Sequence, residues 1–385
     1  MSCYYSLGKI PPKRHTRFVK PDGGLYAEQL FSTEGFSSDY SLLYHCHPPT
    51  MITAVEAPLD LRPRLATDPA LRHRKFRGFA VQPLEDYLGA REVLLANADC
   101  QISVAAPLAG TKDYFYKNAD ADELIFVHQG SGTLYTAYGE LPFGYGDYLV
   151  VPRGTICQIG FTEPSTRLFI VESFSPLRLP GKYLSPGGQL LEHAPYSERD
   201  IRRPRALRTV EARGDFRVLV KKQGYLYPIH YAYHPFDVIG WDGCCYPFAL
   251  SIHDFEPITG RIHQPPPVHL TFEARNFVVC SFCPRKFDYH PQSIPAPYNH
   301  SNIDSDEVLY YVDGEFMSRS HVERGQITLH PGGIPHGPHP GAVEKSIGAE
   351  STDELAVMID TFHPLRVSEA ALGIEDPAYL TSWVA

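Results

Sequence analysis

Long apolar runs are missing. No stretch approaches the roughly 18–20 consecutive apolar residues that a membrane-crossing helix needs, so a membrane role is not expected. The opening residues, Met1-Ser2-Cys3-Tyr4-Tyr5, hold no basic segment followed by an apolar one, and a secretory signal is not expected either. Excess positive charge is missing too: 35 Lys and Arg face 44 Asp and Glu, a net charge of −9. That balance argues against nucleic acid or an anionic membrane as the main partner and leaves room only for a local basic patch. Cysteine is too sparse for a disulfide scaffold, at eight in 385 residues, and two of the eight, Cys244 and Cys245, are adjacent. A reducing cytoplasm is the simpler setting. Uninterrupted helical stretches are also lacking, because 35 prolines and 30 glycines punctuate the chain, and bundles and coiled coils become poor candidates.

What is present favours strands. There are 24 Tyr, 21 Phe and 18 His, and 43% of residues are hydrophobic, enough for a sizeable core in roughly two or three domains by length. Residues 1–60, broken by Pro11-Pro12, Pro21-Asp22-Gly23-Gly24 and Pro48-Pro49, read as an irregular, extended arm lying on other parts of the protein, with room for short strands. Residues 84–98 fit a helix or a strand. From about residue 100, short runs bounded by turn residues follow: Ile102 to Ala106, Glu123 to Val127, Gly132 to Ala137, Tyr148 to Pro152 and Leu168 to Ser173. Such spacing suggests a sandwich or barrel. Residues 177–245 read as a connecting region whose Arg199, Arg202, Arg203 and Arg205 form a solvated face rather than an anion site. Strand runs resume at Phe277 to Phe282, Glu307 to Val312, Gln326 to Leu329 and Leu355 to Asp360, before a short helical tail around Ser368 to Tyr379.

The chain repeats itself. Asp120-Ala121-Asp122-Glu123-Leu124-Ile125-Phe126 matches Asp304-Ser305-Asp306-Glu307-Val308-Leu309-Tyr310 at an offset of 184 residues, and each glutamate is followed seven residues later by a glycine, Gly130 or Gly314. Then Gly146…Pro152-Arg153-Gly154 matches Gly325…Pro331-Gly332-Gly333 at an offset of 179. Both pairs fit the two-part signature of the cupin barrel, in which inward side chains from neighbouring hairpins meet around one ion. The expected fold is therefore mainly β, a bicupin of two jelly-roll barrels. Residues 1–245 would form a β-rich N-terminal domain with a degenerate copy, and residues 246–385 a C-terminal cupin with the metal site.

In the second copy the ligand slots hold His300, Glu307 and His336; in the first they hold Tyr116, Glu123 and Cys157. Two histidines and one carboxylate with open positions are the arrangement of a non-haem Fe(II) oxygenase. Asn302 stands in the second His slot of the first motif, leaving three protein ligands. Asp306 is the rival carboxylate. Glu307 keeps the spacing to Gly314, and consecutive strand residues face opposite ways. Zn(II) and Mn(II) remain alternatives, although no HExxH motif points to a zinc protease.

The second half resembles homogentisate 1,2-dioxygenase. The likeness is carried by Tyr298-Asn299-His300-Ser301-Asn302…Glu307, by Leu329-His330-Pro331…Pro335-His336-Gly337-Pro338 and by Glu344-Lys345-Ser346. It extends upstream through His234 to Trp241, Arg261-Ile262-His263 and Gly24 to Leu30. The resemblance implies a cytoplasmic Fe(II) enzyme of aromatic catabolism, as in tyrosine degradation. It would cleave the ring of homogentisate with O2, beside the carbon bearing the acetate arm, to a maleylacetoacetate-type product. It further implies a homo-oligomer, a hexamer built from trimers. By position, His300, Glu307 and His336 would be the iron ligands, His263 the acid/base on a substrate hydroxyl, and His330 a further active-site histidine. Holding His263 in the stiff segment Arg261-Ile262-His263-Gln264-Pro265-Pro266-Pro267 would suit a base in fixed geometry, with His269 as the nearby competitor.

The chain also departs from the family. It is shorter, and His300 to Glu307 is one residue longer than expected. Phe316 stands where the family carries a tyrosine that contacts substrate. Losing that hydroxyl can alter substrate preference, so a related hydroquinone-type aromatic, such as a gentisate-like acid or a larger polyketide-derived ring, stands beside homogentisate as the expected substrate. Arg261, Arg285 and Lys286 are candidates to pair with a substrate carboxylate, against the plainer reading of surface charges. Cys280-x2-Cys283, without a second pair, reads as strand residues. The rival functions are a metal-dependent isomerase or hydrolase on the same barrel, and a non-catalytic cupin that binds a small ligand.

Overall fold

The computed structural model describes residues 3–68, 70–317 and 322–384. Two sheets lie back to back at its centre. One contains the strands Asp122–Gln129, Asp147–Val151, Arg167–Ser173, Cys100–Ala105 and Arg91–Ala96; the other contains Asp306–Asp313, Gln326–His330, Leu355–Thr361, Phe277–Phe282 and Leu270–Glu273. Side chains alternate across each strand. Leu124 and Phe126 from the first sheet therefore share one core with Val308, Tyr310 and Val312 from the second. Phe169 stacks on Tyr310 at 4.5 Å across this seam. The alternate residues of the first sheet, Ile125 and Val127, point the other way into a separate core with Leu134, Ile159 and Leu219.

The internal repeat is visible in the strand register. Glu123 lies opposite Val151 and Glu172, and Glu307 lies opposite His330 and Asp360. The offsets of 184 and 179 that align the sequence also align Glu123 with Glu307 and Val151 with His330, and Glu172 and Asp360 match at an offset of 188. Tyr116 pairs with Cys157, as His300 pairs with His336. The aspartates before the glutamates repeat a structural task. Asp122 accepts from the backbone N–H of Arg153 and Leu177, and Asp306 from those of Gly332 and Leu365, at 2.7–3.0 Å. Gly314 after the second glutamate strand has φ +83°, and a Cβ there would lie 2.2 Å from the Asp353 carbonyl oxygen, so the turn admits only glycine.

The barrels differ in their outer walls. The first is closed by an eight-stranded sheet that includes Phe115–Asn118, Gly132–Thr136, Ile156–Phe161, Arg213–Lys222 and Tyr225–Tyr233. Over the second barrel, residues 283–305 and 331–350 run mainly as loops, with Arg285–Lys286 paired to Ser351–Thr352. Strands also cross the 245/246 division. Arg74–Arg77 pairs with Gln326–His330, Phe248–Ser251 with Asp147–Val151, and Arg366–Val367 with Arg91–Ala96.

Three expectations change here. The first 60 residues are not an irregular arm: Tyr5–Gly8, Ala27–Ser32 and Tyr40–His45 join Val238–Gly243 in a four-stranded sheet. Residues 177–245 are not a mere connection, because Arg213–Lys222 and Tyr225–Tyr233 form a long hairpin. Their partner, Phe115–Asn118, lies about a hundred residues upstream, beyond the reach of local patterning. The arginine cluster is not a uniformly solvated face either. Arg199 and Arg205 are exposed, but Arg202 is paired with Asp147, and Arg203 lies 5.2 Å from the centre of the Tyr5 ring. Residues 84–98, open between helix and strand, contain the strand Arg91–Ala96. The tail is helical only in short pieces, Glu369–Gly373 and Pro377–Thr381.

Candidate metal centre

Glu307 points inward from its strand, and the two histidines arrive on loops. A lone antiparallel bridge clamps them together: the His300 N–H donates to the His336 carbonyl at 2.8 Å, and the His336 N–H donates back at 2.9 Å. The rings are 4.2 Å apart between centroids. Both Nε2 atoms converge on one carboxylate oxygen, Glu307 Oε2, at 3.7 Å from His300 and 3.5 Å from His336. One ligand atom from each of the three lies within 4.8 Å of the others. Asp306 faces away, its two oxygens engaged by the backbone N–H groups of Gly332 and Leu365.

The second oxygen, Glu307 Oε1, accepts from His330 Nδ1 at 2.7 Å, and the Tyr379 hydroxyl lies 2.9 Å from His330 Nε2. His330 is fully buried and stacks on His336 at 4.7 Å. It sits behind the glutamate and orients it. Burial pushes the Glu307 carboxyl up, but the facing imidazoles of His300, His330 and His336 outweigh burial and hold it well below the usual carboxylate range. The donor set fits a divalent cation: one ionised carboxylate, two imidazoles, and a buried His336 Nε2 without a hydrogen-bond partner.

A cavity of about 440 Å³ opens onto this cluster. His300, Glu307 and His263 all line it. His263 stands at its edge with a half-exposed side chain, 3.5 Å from Asp288 Oδ2. The Tyr298 ring lies 5.1 Å from the His263 ring and 6.2 Å from that of His300. The rest of the wall is mostly apolar and includes Phe282, Leu309, Met317 and Met358. Phe316 lines it as well, packed edge-on against Tyr311 at 4.8 Å. Of the candidate carboxylate partners, Arg285 is engaged with Glu354 at 3.1 Å and Lys286 faces the cavity, while Arg261 is not in its wall. His269 lines it too and is buried; burial, then the charges of Arg285 and Lys182, push its imidazole down to about 3. That keeps it neutral and unsuited to be a base. Cys280 lies within the strand Phe277–Phe282 and Cys283 just beyond its end; both are buried and unbridged, and Cys245 is buried as well.

Sequence reasoning missed the support behind the His/Glu cluster. His73 precedes the exchanged strand Arg74–Arg77 and packs its ring 5.4 Å from His330 and 6.0 Å from His336. Trp383, in the tail, lies 5.0 Å from His73. No spacing rule links residues 73, 330 and 383. It also missed what fills the first barrel. There the Arg91 guanidinium donates to Glu123 Oε1 at 2.6 Å and Glu172 Oε1 at 3.3 Å, and it bonds the Tyr87 hydroxyl. Tyr116 and Asn118 each donate to Glu123 at 3.1 Å, and Lys221 pairs with Glu172. An arginine thus occupies the space beside Glu123 that a cation would occupy beside Glu307.

A family model described as homogentisate 1,2-dioxygenase N-terminal matches residues 81–252. A protein of Saccharolobus solfataricus, carrying the name "Putative dioxygenase", is 43% identical over 385 residues, covering 100% of this chain and 99% of its own. The homogentisate 1,2-dioxygenase of Rhodopseudomonas palustris is 25% identical over 402 residues, covering 94% of this chain and 86% of its own. Among solved structures, a cupin 2 conserved barrel domain protein from Leptotrichia buccalis aligns at 10% identity with a TM-score of 0.34, over 77% of this chain and 100% of that one.

Proposed function

The chain belongs to the homogentisate 1,2-dioxygenase family, and from that premise we propose that it is an Fe(II)-dependent dioxygenase that opens the ring of homogentisate or a related hydroquinone-type aromatic with O2. The product would be of the maleylacetoacetate type. The observation that carries this reading is the convergence of His300 Nε2 and His336 Nε2 on one Glu307 oxygen beside a cavity of about 440 Å³. His300, Glu307 and His336 would hold the ion. Bound there, Fe(II) would acidify a coordinated ring hydroxyl and relay electrons from the ring to O2.

The other residues take definable parts. His330 and Tyr379 hold the Glu307 carboxylate in its rotamer. Leu309, Met358 and Phe282 offer an apolar bed for a ring and exclude water from it. His263 accepts the proton of the second ring hydroxyl, and Asp288 beside it supports the imidazolium that results. With Arg285 engaged by Glu354, Lys286 is the cation left in the wall to pair with an acidic substituent on the ring.

The test is O2 uptake after anaerobic reconstitution with Fe(II), with homogentisate, gentisate and hydroquinone in parallel. Rapid uptake with homogentisate and matching product absorbance supports the family reaction. Uptake with another ring alone moves the substrate and keeps the chemistry. A chain that holds iron yet consumes no O2 with any hydroquinone-type ring overturns the reading.

A further inference from the structure

Asp360 stands directly across from Glu307 in the neighbouring strand and lines the same cavity. Its Oδ1 is sealed from bulk solvent and has no hydrogen-bond partner. A buried carboxylate oxygen left unpaired is costly, so its position calls for a donor that the protein alone does not provide. The first barrel shows where such an oxygen reaches. Glu172 holds the matching register across from Glu123. Its Oε1 lies 3.3 Å from the same Arg91 nitrogen that Glu123 engages at 2.6 Å. Two carboxylates there share one cation.

In the second barrel the second carboxylate is an aspartate, one methylene shorter. It is not among the three residues whose ligand atoms gather within 4.8 Å. It lines the same cavity as His300 and Glu307 without joining that cluster. We propose that Asp360 is a positioning residue of the metal centre: its Oδ1 accepts a hydrogen bond from the O–H group in an open position on the ion, water in the resting site and a ring hydroxyl when substrate is bound. The inference rests on a divalent ion at His300, Glu307 and His336. It adds a directional acceptor that selects hydroxylated ligands and fixes the angle at which they bind.

The probe is Co(II) alone, titrated into metal-free protein and followed by calorimetry and by its d–d absorption. Asp360→Ala is expected to weaken Co(II) binding about 10- to 100-fold, the usual range for groups that hold a metal's ligands from behind, and to alter the d–d envelope. Asp360→Asn, which keeps an acceptor oxygen, should restore the envelope and recover at least half of the lost affinity on a logarithmic scale. Asp360→Val replaces the alanine variant if that one does not fold. Unchanged affinity and spectrum in the alanine or valine variant would make Asp360 part of the wall only and overturn the proposal. Complete loss of binding, as expected for Glu307→Gln, would make it a direct ligand and overturn it as well. A native protein that binds no Co(II) would remove the metal centre itself, a failure distinct from either.

Discussion

Glu123 and Glu307 occupy the same place in two copies of one barrel, and their surroundings have parted. Around Glu123 the partners are Arg91, Tyr116, Asn118 and, through Glu172, Lys221; around Glu307 they are His300, His330 and His336. Both carboxyls are driven up by burial and brought below their ordinary value by what faces them. The first site satisfies its negative charge with the protein's own cations and closes its outer wall with regular strands. The second offers imidazoles and a loop-built wall with a cavity behind it. A buried carboxylate needs a counter-charge in either case. What differs is whether the chain supplies that charge or leaves a place for an ion.

The comparison can be broken most sharply at the glutamates. Glu307→Gln should bring bound metal to near zero and reduce O2 uptake on the order of 10³-fold or more, since the ion's chemistry goes with it. Glu123→Gln should leave metal content and uptake intact while lowering the unfolding midpoint. Metal analysis and oxygen-electrode traces on both variants decide this, and loss of metal from the Glu123 variant would show that the first barrel is no mere scaffold. Next in size is Arg91→Leu. It strands Glu123 beside Glu172 in a dry interior and is expected to cost about 3–5 kcal/mol in denaturant unfolding, the usual penalty for breaking a buried ion pair. A cost below about 1 kcal/mol would mean that the arginine is not the internal counter-ion. The smallest effect belongs to Tyr379→Phe, which removes the hydroxyl beside His330. A loss of about 1 kcal/mol in stability and less than about tenfold in metal affinity is expected from one hydrogen bond behind a ligand. Parallel melting and metal-competition assays would detect both.

Much of this was legible in the residue order. The repeated Asp-Glu pairs, the glycines after them and the His336 frame located both barrels, and alternation separated Glu307 from Asp306. The 184 and 179 offsets reappear as strand register because a β-strand's period of two ties sequence shift to facing direction. Other parts were not legible. The long hairpin Arg213–Lys222 and Tyr225–Tyr233 reads as a basic connector until Phe115–Asn118 is set beside it. His73 carries no motif, and it reaches the back of the centre because Arg74–Arg77 joins the far barrel's sheet.

Residue type and short spacing were enough to set the inward face of the two glutamate strands and to place two histidines and a glutamate together in the second copy. What stands opposite each buried carboxylate follows from tertiary pairing. Arg91 meets Glu123 across 32 residues, Tyr379 meets His330 across 49, and Asp360 faces Glu307 through strand pairing. Such meetings depend on sheet order and wall closure, which local spacing does not encode, because the hydrophobic seam that brings the strands together is assembled from both halves of the chain at once.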